Sequence, residues 1–364
     1  MELGRNNVGQ LGNGTNRGSY TPVKILENVV SVSAGPKHAF AIKADGSLWG
    51  WGNNGHGELG KYGGNASAIT SILQEKFYYQ TVPIKLMDGV IAVSTGDNHT
   101  MAVKKDGSLW GWGHNYRGEL GDGTEIFRLT PVKIMDNVVS VSVSETFTMA
   151  IKKDGSLWGW GYNYWGELGD GTTEIRKTPI KLMDNVADVS TDVSFTMVIK
   201  TDGSLWGWGW NRLGQLGDGT GEDRKTPVKL MDDVAAVSTK GSSTMVIKTD
   251  GTLLEWGNRL DLVIDGTRVY NSKTAIKVMD NVSAISNGKY HYLATKTDGT
   301  LWAWGRNSSG ELGNGGGGND TYGDKPLQTI PIQVPDFEAK FMQSFPGEQV
   351  NDPLVHGSKN TKIS

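Results

Sequence analysis

Three histidines, His38, His99 and His291, each stand seven residues ahead of a recurring aspartate, and Gly-Asp-Gly-Thr occurs at 121–124, 169–172 and 217–220. Imidazoles at matched positions invite a metal or proton-transfer reading, and glycine-flanked acids invite a calcium reading. The spacing argues against both. The histidines belong to units one, two and six of a repeat, spread around it, so they cannot converge on one ion, and Phe147, Phe195 and Ser243 hold the same place in units three to five. A structural hydrogen bond is the expected histidine role. The Gly-Asp-Gly-Thr segments lack the alternating acids of a calcium loop and read as turns. The chain has no cysteine, which excludes disulfides, thiolate metal sites and a cysteine nucleophile. It also has no Gly-x-x-x-x-Gly-Lys-Ser/Thr, no His-Glu-x-x-His and no Gly-x-Ser-x-Gly. No catalytic residue, metal or cofactor is expected.

Recognition chemistry is better represented. Tyr, Trp and Arg dominate binding hot spots, and Tyr116, Arg117, Tyr162, Tyr164, Trp165, Trp210 and Arg212 cluster in short segments that differ from copy to copy. His56 and Leu213 lie in equivalent segments, and a second set of variable segments holds Glu145, Phe147, Asp192, Phe195, Lys289 and Tyr290. One copy carries an insertion within 61–80 that includes Phe77, Tyr78 and Tyr79, and the last copy carries a longer glycine-rich segment before Pro331. These aromatic and arginine residues are the candidate partner-binding set.

The elements that must position them follow from the repeat. Asp-Gly-Ser/Thr-Leu followed by a Trp-rich tetrapeptide begins at Asp45, Asp106, Asp154, Asp202, Asp250 and Asp298, in steps of 61 and then 48 residues. A fixed period near 50 denotes supersecondary units stacked on one another. In the unit 138–183, Val138–Ser142 alternates like a half-buried strand, Thr148–Lys152 is a second strand, and Asp154-Gly155 predicts a two-residue type I′ hairpin turn. Ser156–Gly161 is a third strand, and Pro179–Met183 is a fourth, opened by proline. Four antiparallel strands per unit match a β-propeller blade. The fold class is therefore all-β, a propeller of six to seven four-stranded blades over 1–334, with 335–364 a polar tail or linker.

Six units carry strands one to three, but the fourth-strand pattern occurs seven times, the surplus copy lying near Thr21–Leu26. A cut-down ring of seven is preferred over six blades and a spare strand. The chain opens inside a repeat, since 3–12 matches 112–121, so a fragment or processed product is expected.

Eleven of the 13 tryptophans sit in the third strands, where the Trp pair is expected to fill the space left by the strand glycines of the neighbouring blade. Unit five departs from the pattern: Leu254-Glu255-Trp256 replaces Trp-Gly-Trp, which predicts a weak blade and a partner for Glu255. Lys24, Lys85, Lys133, Lys181, Lys229 and Lys277 recur on the fourth strand, where edge lysines block edge-to-edge pairing. With 36 basic against 39 acidic residues, the net charge of −3 points to no nucleic acid partner, and no apolar run is long enough to insert in a membrane as a helix.

The nonapeptide Gly113-His114-Asn115-Tyr116-Arg117-Gly118-Glu119-Leu120-Gly121, preceded by Leu-Trp-Gly-Trp-Gly, resembles the regulator of chromosome condensation repeat, and the resemblance recurs over 3–334. It suggests a bacterial-type member or fragment and implies a propeller, usually of seven blades. It implies no single activity, because such propellers include guanine nucleotide exchange factors, ubiquitin-ligase modules, a plant ultraviolet-B photoreceptor and β-lactamase inhibitory proteins. The photoreceptor's Gly-Trp-Arg-His-Thr motif is absent here.

The expected function is non-catalytic recognition of a protein partner by a monomer, through the one propeller face whose loops vary. The alternatives are inhibition of a secreted enzyme, nucleotide exchange on a small GTPase, and an enzyme with a site at the propeller mouth, whose sign would be a convergent cluster of acids. An extracellular or cell-surface location is favoured over a cytoplasmic one.

Overall fold

The structure, a computed structural model, describes residues 2–61, 79–258, 262–264, 267–269, 271–307, 310–313 and 328–334. Phe77 and Tyr78, most of the 61–80 insertion, the glycine-rich segment before Gln328 and the 335–364 tail lie outside these residues.

Six four-stranded antiparallel sheets follow one another along the chain. Blade 1 begins with Val29–Ala34, His38–Lys43 and Leu48–Asn53, and ends with Tyr79–Met87. Blade 2 runs from Val90 to Met135, blade 3 from Val138 to Met183, blade 4 from Val186 to Met231 and blade 5 from Val234 to Met279. Blade 6 runs from Val282 to Gln333. A two-stranded ribbon, Glu2–Gly4 paired with Ser19–Val23, precedes blade 1. The surplus fourth strand thus has one partner, and a seventh four-stranded blade is not found among the described residues. No helix is found among them either, so no helix is long and apolar enough to cross a membrane.

The first strands lie innermost and surround a central cavity of about 120 Å3 lined by serines and small apolar side chains. They are tied blade to blade by hydroxyls. Ser33 Oγ lies 3.1 Å from Thr95 Oγ1, and Ser142–Thr191 and Ser190–Thr239 each close at 2.9 Å. The backbone N–H groups of Val143 and Asn287 donate to Ser94 and Ser238. Buried polar groups that pair in this way fix which blade abuts which.

The tryptophan pair divides its work. The second member, as in Trp112, Trp160 and Trp208, is fully buried between blades. Each donates its indole N–H to a carbonyl in the preceding unit: Trp112 to Glu58, Trp160 to Glu119 and Trp208 to Glu167, at 2.6–2.8 Å. Burying an indole of 150–250 Å2 contributes roughly 4–6 kcal/mol gross. The first member stays half-exposed. Trp158 donates to Ser156 Oγ at 2.9 Å, and Lys152 Nζ sits 4.5 Å from its ring centre.

The expectation that the pair fills a neighbour's strand glycines is corrected. Gly159 is covered by Leu182 and Met149 of its own blade, whereas Trp160 lies on Gly121, a loop glycine whose added Cβ would stand 2.7 Å from Nε1. The loop backbone, not the strand face, makes the close approach. The hairpin turn is also corrected. Gly155 has φ +77° but Asp154 does not have positive φ, so this is a type I turn closed by a left-handed glycine, not type I′. The physical reason is local: Asp154 Oδ1 accepts from both the backbone N–H and the hydroxyl of Ser156, holding the aspartate in an Asx conformation.

Blade 5 forms its four-stranded sheet despite the altered motif, with an extra hairpin, Leu262–Ile264 paired with Thr267–Val269, before its last strand. Glu255 is buried and engaged, and Trp256 joins a core cluster as its counterparts do. The outer-strand lysines pair with acids three residues on: Lys24 with Glu27, Lys85 with Asp88, Lys133 with Asp136, Lys181 with Asp184, Lys229 with Asp232 and Lys277 with Asp280. The rim is therefore charge-balanced, as an edge protected from aggregation should be.

Candidate recognition face

The residue after the last glycine of each third-strand motif is Asn53, His114, Tyr162, Trp210, Asn258 and Arg306 in turn. Its backbone N–H donates to the carbonyl of Lys37, Asn98, Thr146, Ser194, Ser242 and Tyr290 respectively, at 2.7–3.0 Å. These carbonyls belong to the loops after the first strands, so both variable loop sets share one face. The Asp-Gly turns bond to the start of the next unit at the other end, as Val138 N–H does to Gly107. The third-strand loops of blades 1–4 are then braced from inside by a buried asparagine, Asn54, Asn115, Asn163 and Asn211 in turn. Asn115 Oδ1 accepts from Leu120 N–H, and its amide donates to Asp122 and to the carbonyls of Thr124 and Ile126.

The Gly-Asp-Gly-Thr segments are confirmed as turns. Asp122 accepts from Thr124 and pairs with Arg128. Although burial pushes its carboxyl upward, these bonds keep it below the usual carboxylate range.

On this braced frame predicted side chains, together with His114 and Phe127, form a chain of ring contacts across blades 1–4. His56 meets His114 edge-on at 5.9 Å, His114 meets Tyr116 at 4.7 Å, and Tyr116 meets Phe127 at 6.0 Å. The guanidinium of Arg117 lies 4.4 Å from the ring centre of Tyr162 in the next blade. Tyr162 stacks on Tyr164 at 6.2 Å, Tyr164 meets Trp165 edge-on at 4.9 Å, and Arg212 of blade 4 covers Trp165 at 5.0 Å. Arg212 is also 3.6 Å from Asp223. Although locked together, these side chains stay accessible: Tyr116 is 61% exposed and Tyr164 59%.

Other predicted residues fall elsewhere. Tyr290 sits in blade 6 beside Lys289 and Arg306, apart from the belt. Trp210 is half-buried, and Leu213 is half-buried with its N–H on Gln215. Tyr79 opens the outer strand of blade 1, where its hydroxyl accepts from Asn16. Phe147 and Phe195, expected on the face, instead begin second strands and are core residues at 0% and 1% exposure. Asp192 is also buried, accepting from Ser242 N–H at 2.7 Å.

His114, Phe127 and Arg306 escaped the sequence reading. The signal for His114 and Arg306 was available, because they share the repeat position of Tyr162 and Trp210.

His38 and His99 are structural, as expected. His99 Nε2 lies 3.2 Å from Thr148 Oγ1, and His38 Nε2 lies 3.5 Å from Thr100 Oγ1, each across a blade interface. Burial pushes both imidazoles down to about 4.

Acids do meet at the propeller mouth. Burial pushes the Glu145 carboxyl up, and the adjoining Asp97 raises it further, while Lys240 and Lys289 oppose that shift. Glu145 and Asp97 therefore adjoin each other, and both lysines act on Glu145. No group of three metal-binding side chains occurs among the described residues.

The family of RCC1-like domains matches residues 1–350. The ultraviolet-B receptor UVR8 of Arabidopsis thaliana is 32% identical over 130 residues, covering 35% of this chain and 28% of the receptor. The human probable E3 ubiquitin-protein ligase HERC6 is 33% identical over 134 residues, covering 35% of this chain and 12% of the ligase. The matched segment is therefore a small part of these relatives. Human WBSCR16 superimposes with a TM-score of 0.76 at 21% identity, over 91% of this chain and 92% of that one. Yeast RCC1 (Prp20), in a structure with Kap60 bound, gives 0.76 at 18% identity, over 93% and 84%. These likenesses establish the shared fold. Extending over nearly the whole chain, the family match shows that this protein belongs to the RCC1-like domain family.

Proposed function

We propose that this propeller is a non-catalytic, monomeric binding module that grips a protein partner with the face carrying Tyr116, Arg117, Tyr162, Tyr164, Trp165 and Arg212, flanked by Trp210 and Tyr290. The observation that carries the reading is the belt itself. Large rings are held in one arrangement by stacking, edge contacts and guanidinium caps while remaining exposed. Side chains ordered before contact lose less entropy on binding, so the face is prepared for a partner. The opposite face repeats nearly the same turn in each unit and offers little to discriminate. Lysines oppose the carboxyl pair at the mouth, which we read as structural charge balance and not as a catalytic dyad.

The partner's identity chooses among a general scaffold, an inhibitor of a secreted enzyme and an exchange factor. Yeast Prp20, studied for binding to Gsp1p and histones, illustrates the protein-binding use of the fold. The test is affinity capture with the parent chain and a Tyr164→Ala/Trp165→Ala variant. A partner retained by the parent and lost by the variant is expected. Equal retention by both would overturn this placement of the site.

A further inference from the structure

Blades 1–4 each bury one carboxyl or amide head group at the same place in the third-strand loop: Glu58, Glu119, Glu167 and Gln215. One oxygen has the same task throughout. It accepts the backbone N–H of the residue two positions earlier, from His56, Arg117, Trp165 and Leu213, at 2.7–2.9 Å.

The other head-group atom is treated differently from blade to blade. In blade 1, Glu58 Oε1 accepts from the Asn53 amide at 2.5 Å, and in blade 2, Glu119 Oε1 meets His114 Nδ1 at 3.0 Å. Both partners occupy the position after the last glycine of the third-strand motif. In blades 3 and 4 that position holds Tyr162 or Trp210. The Tyr162 ring is taken up by Arg117 and Tyr164, and an indole has no acceptor for an amide. Glu167 Oε1 and Gln215 Nε2 consequently stay buried with no hydrogen-bond partner among the described residues. Neither Arg117 nor Arg212 reaches Glu167, although both cap neighbouring rings.

We infer that Glu167 is the specificity-determining acceptor for a lysine or arginine side chain of the partner, which enters among Tyr162, Tyr164 and Trp165. The inference rests on the proposed recognition face and names the chemistry it selects. In its ionised form the orphan oxygen can only accept, so the group that completes it is a donor. A cation is preferred to a neutral amide, because charge-assisted bonds to a carboxylate are roughly twice as strong. The surrounding ring faces also favour a cation, as Arg117 and Arg212 show at 4.4 and 5.0 Å. Burial, reinforced by Asp223, pushes the Glu167 carboxyl up to about 7, so a bound cation would also relieve an unfavourable charge. In the next blade, Gln215 Nε2 is a free donor suited to a main-chain carbonyl of the same partner segment.

The test starts from a random peptide display library selected on the full chain, followed by titration of synthetic hits. Peptides that bind in a Trp165-dependent manner should carry Lys or Arg. Exchanging that residue for Gln, or Glu167→Gln in the protein, should each weaken binding about tenfold or more, and the two losses should not add. Hits that need Trp165 but bind Glu167→Gln as well as the parent would overturn this inference and leave the recognition face standing. Absence of any Trp165-dependent hit would overturn both.

Discussion

Glu167→Gln should make the protein more stable at pH 8 relative to the parent than it does at pH 5. The carboxyl is buried with one oxygen unpartnered, and its pKa is raised from 4.5 to about 7. A group whose folded pKa is raised contributes stability that is present below the unfolded value and lost as pH rises through the folded value. Here the window runs from 4.5 to about 7. A full shift of this size corresponds to roughly 3 kcal/mol, and the part falling between pH 5 and pH 8 to about 2–3 kcal/mol. Glutamine does not titrate, so the variant lacks this dependence. Its unpartnered amide adds a cost of about 1–3 kcal/mol at both pH values, which cancels in the comparison. Gln215 occupies the equivalent place in blade 4, so the fold accommodates the substitution. Urea denaturation of parent and variant at the two pH values gives the four free energies needed. A variant-minus-parent difference that is the same at both would refute the claim that a strained, ionisable carboxyl is held there. A stabilising substitution that abolishes recognition would also explain why a costly group occupies this place.

The histidines should act in the opposite direction. His38 and His99 are depressed from 6.5 to about 4, so the unfolded chain binds more protons across that window and stability falls as pH drops through it, by on the order of 3 kcal/mol for each. His38→Phe/His99→Phe copies the residue type of blades 3 and 4 and should flatten the acid limb of a urea-midpoint profile; an unchanged limb would exclude these imidazoles as its source. Trp160→Ala should cost about 3–5 kcal/mol and Trp158→Ala clearly less, because only the former is enclosed between blades; equal losses by denaturant titration would contradict that division of labour. Gly121→Ala should lower the melting temperature, since φ is +76° and the added carbon would collide with Trp160, whereas the same change at Gly219, where no atom lies within 4 Å, carries only the backbone cost of φ +81°.

Much of this architecture is legible in single residues. The Asp-Gly signature places every second and third strand, and the alternation at Val138–Ser142 places the inner strand to within one residue of its observed end. The variable face is legible too, because strand direction alternates and the loops after strands one and three must emerge together. Smaller matters were misplaced where two influences compete. Asp154 favours its own Asx bonds over the left-handed conformation that a type I′ turn requires. Phe147 and Phe195 look like loop residues in a linear repeat but start buried strands, because the preceding loops are short.

Period, strand order, hairpin positions and the sharing of one face by both variable loop sets depend on contacts between residues close in sequence, and the amino-acid sequence alone determined them. The packing of Trp160 on Gly121, the stacking of Arg117 on Tyr162 and of Arg212 on Trp165, and the orphaned oxygen of Glu167 depend on how one blade's loop meets the next. Those partners lie about one repeat apart along the chain. Their juxtaposition is decided by the radial packing of sheets around the channel, so it emerged only with the tertiary structure.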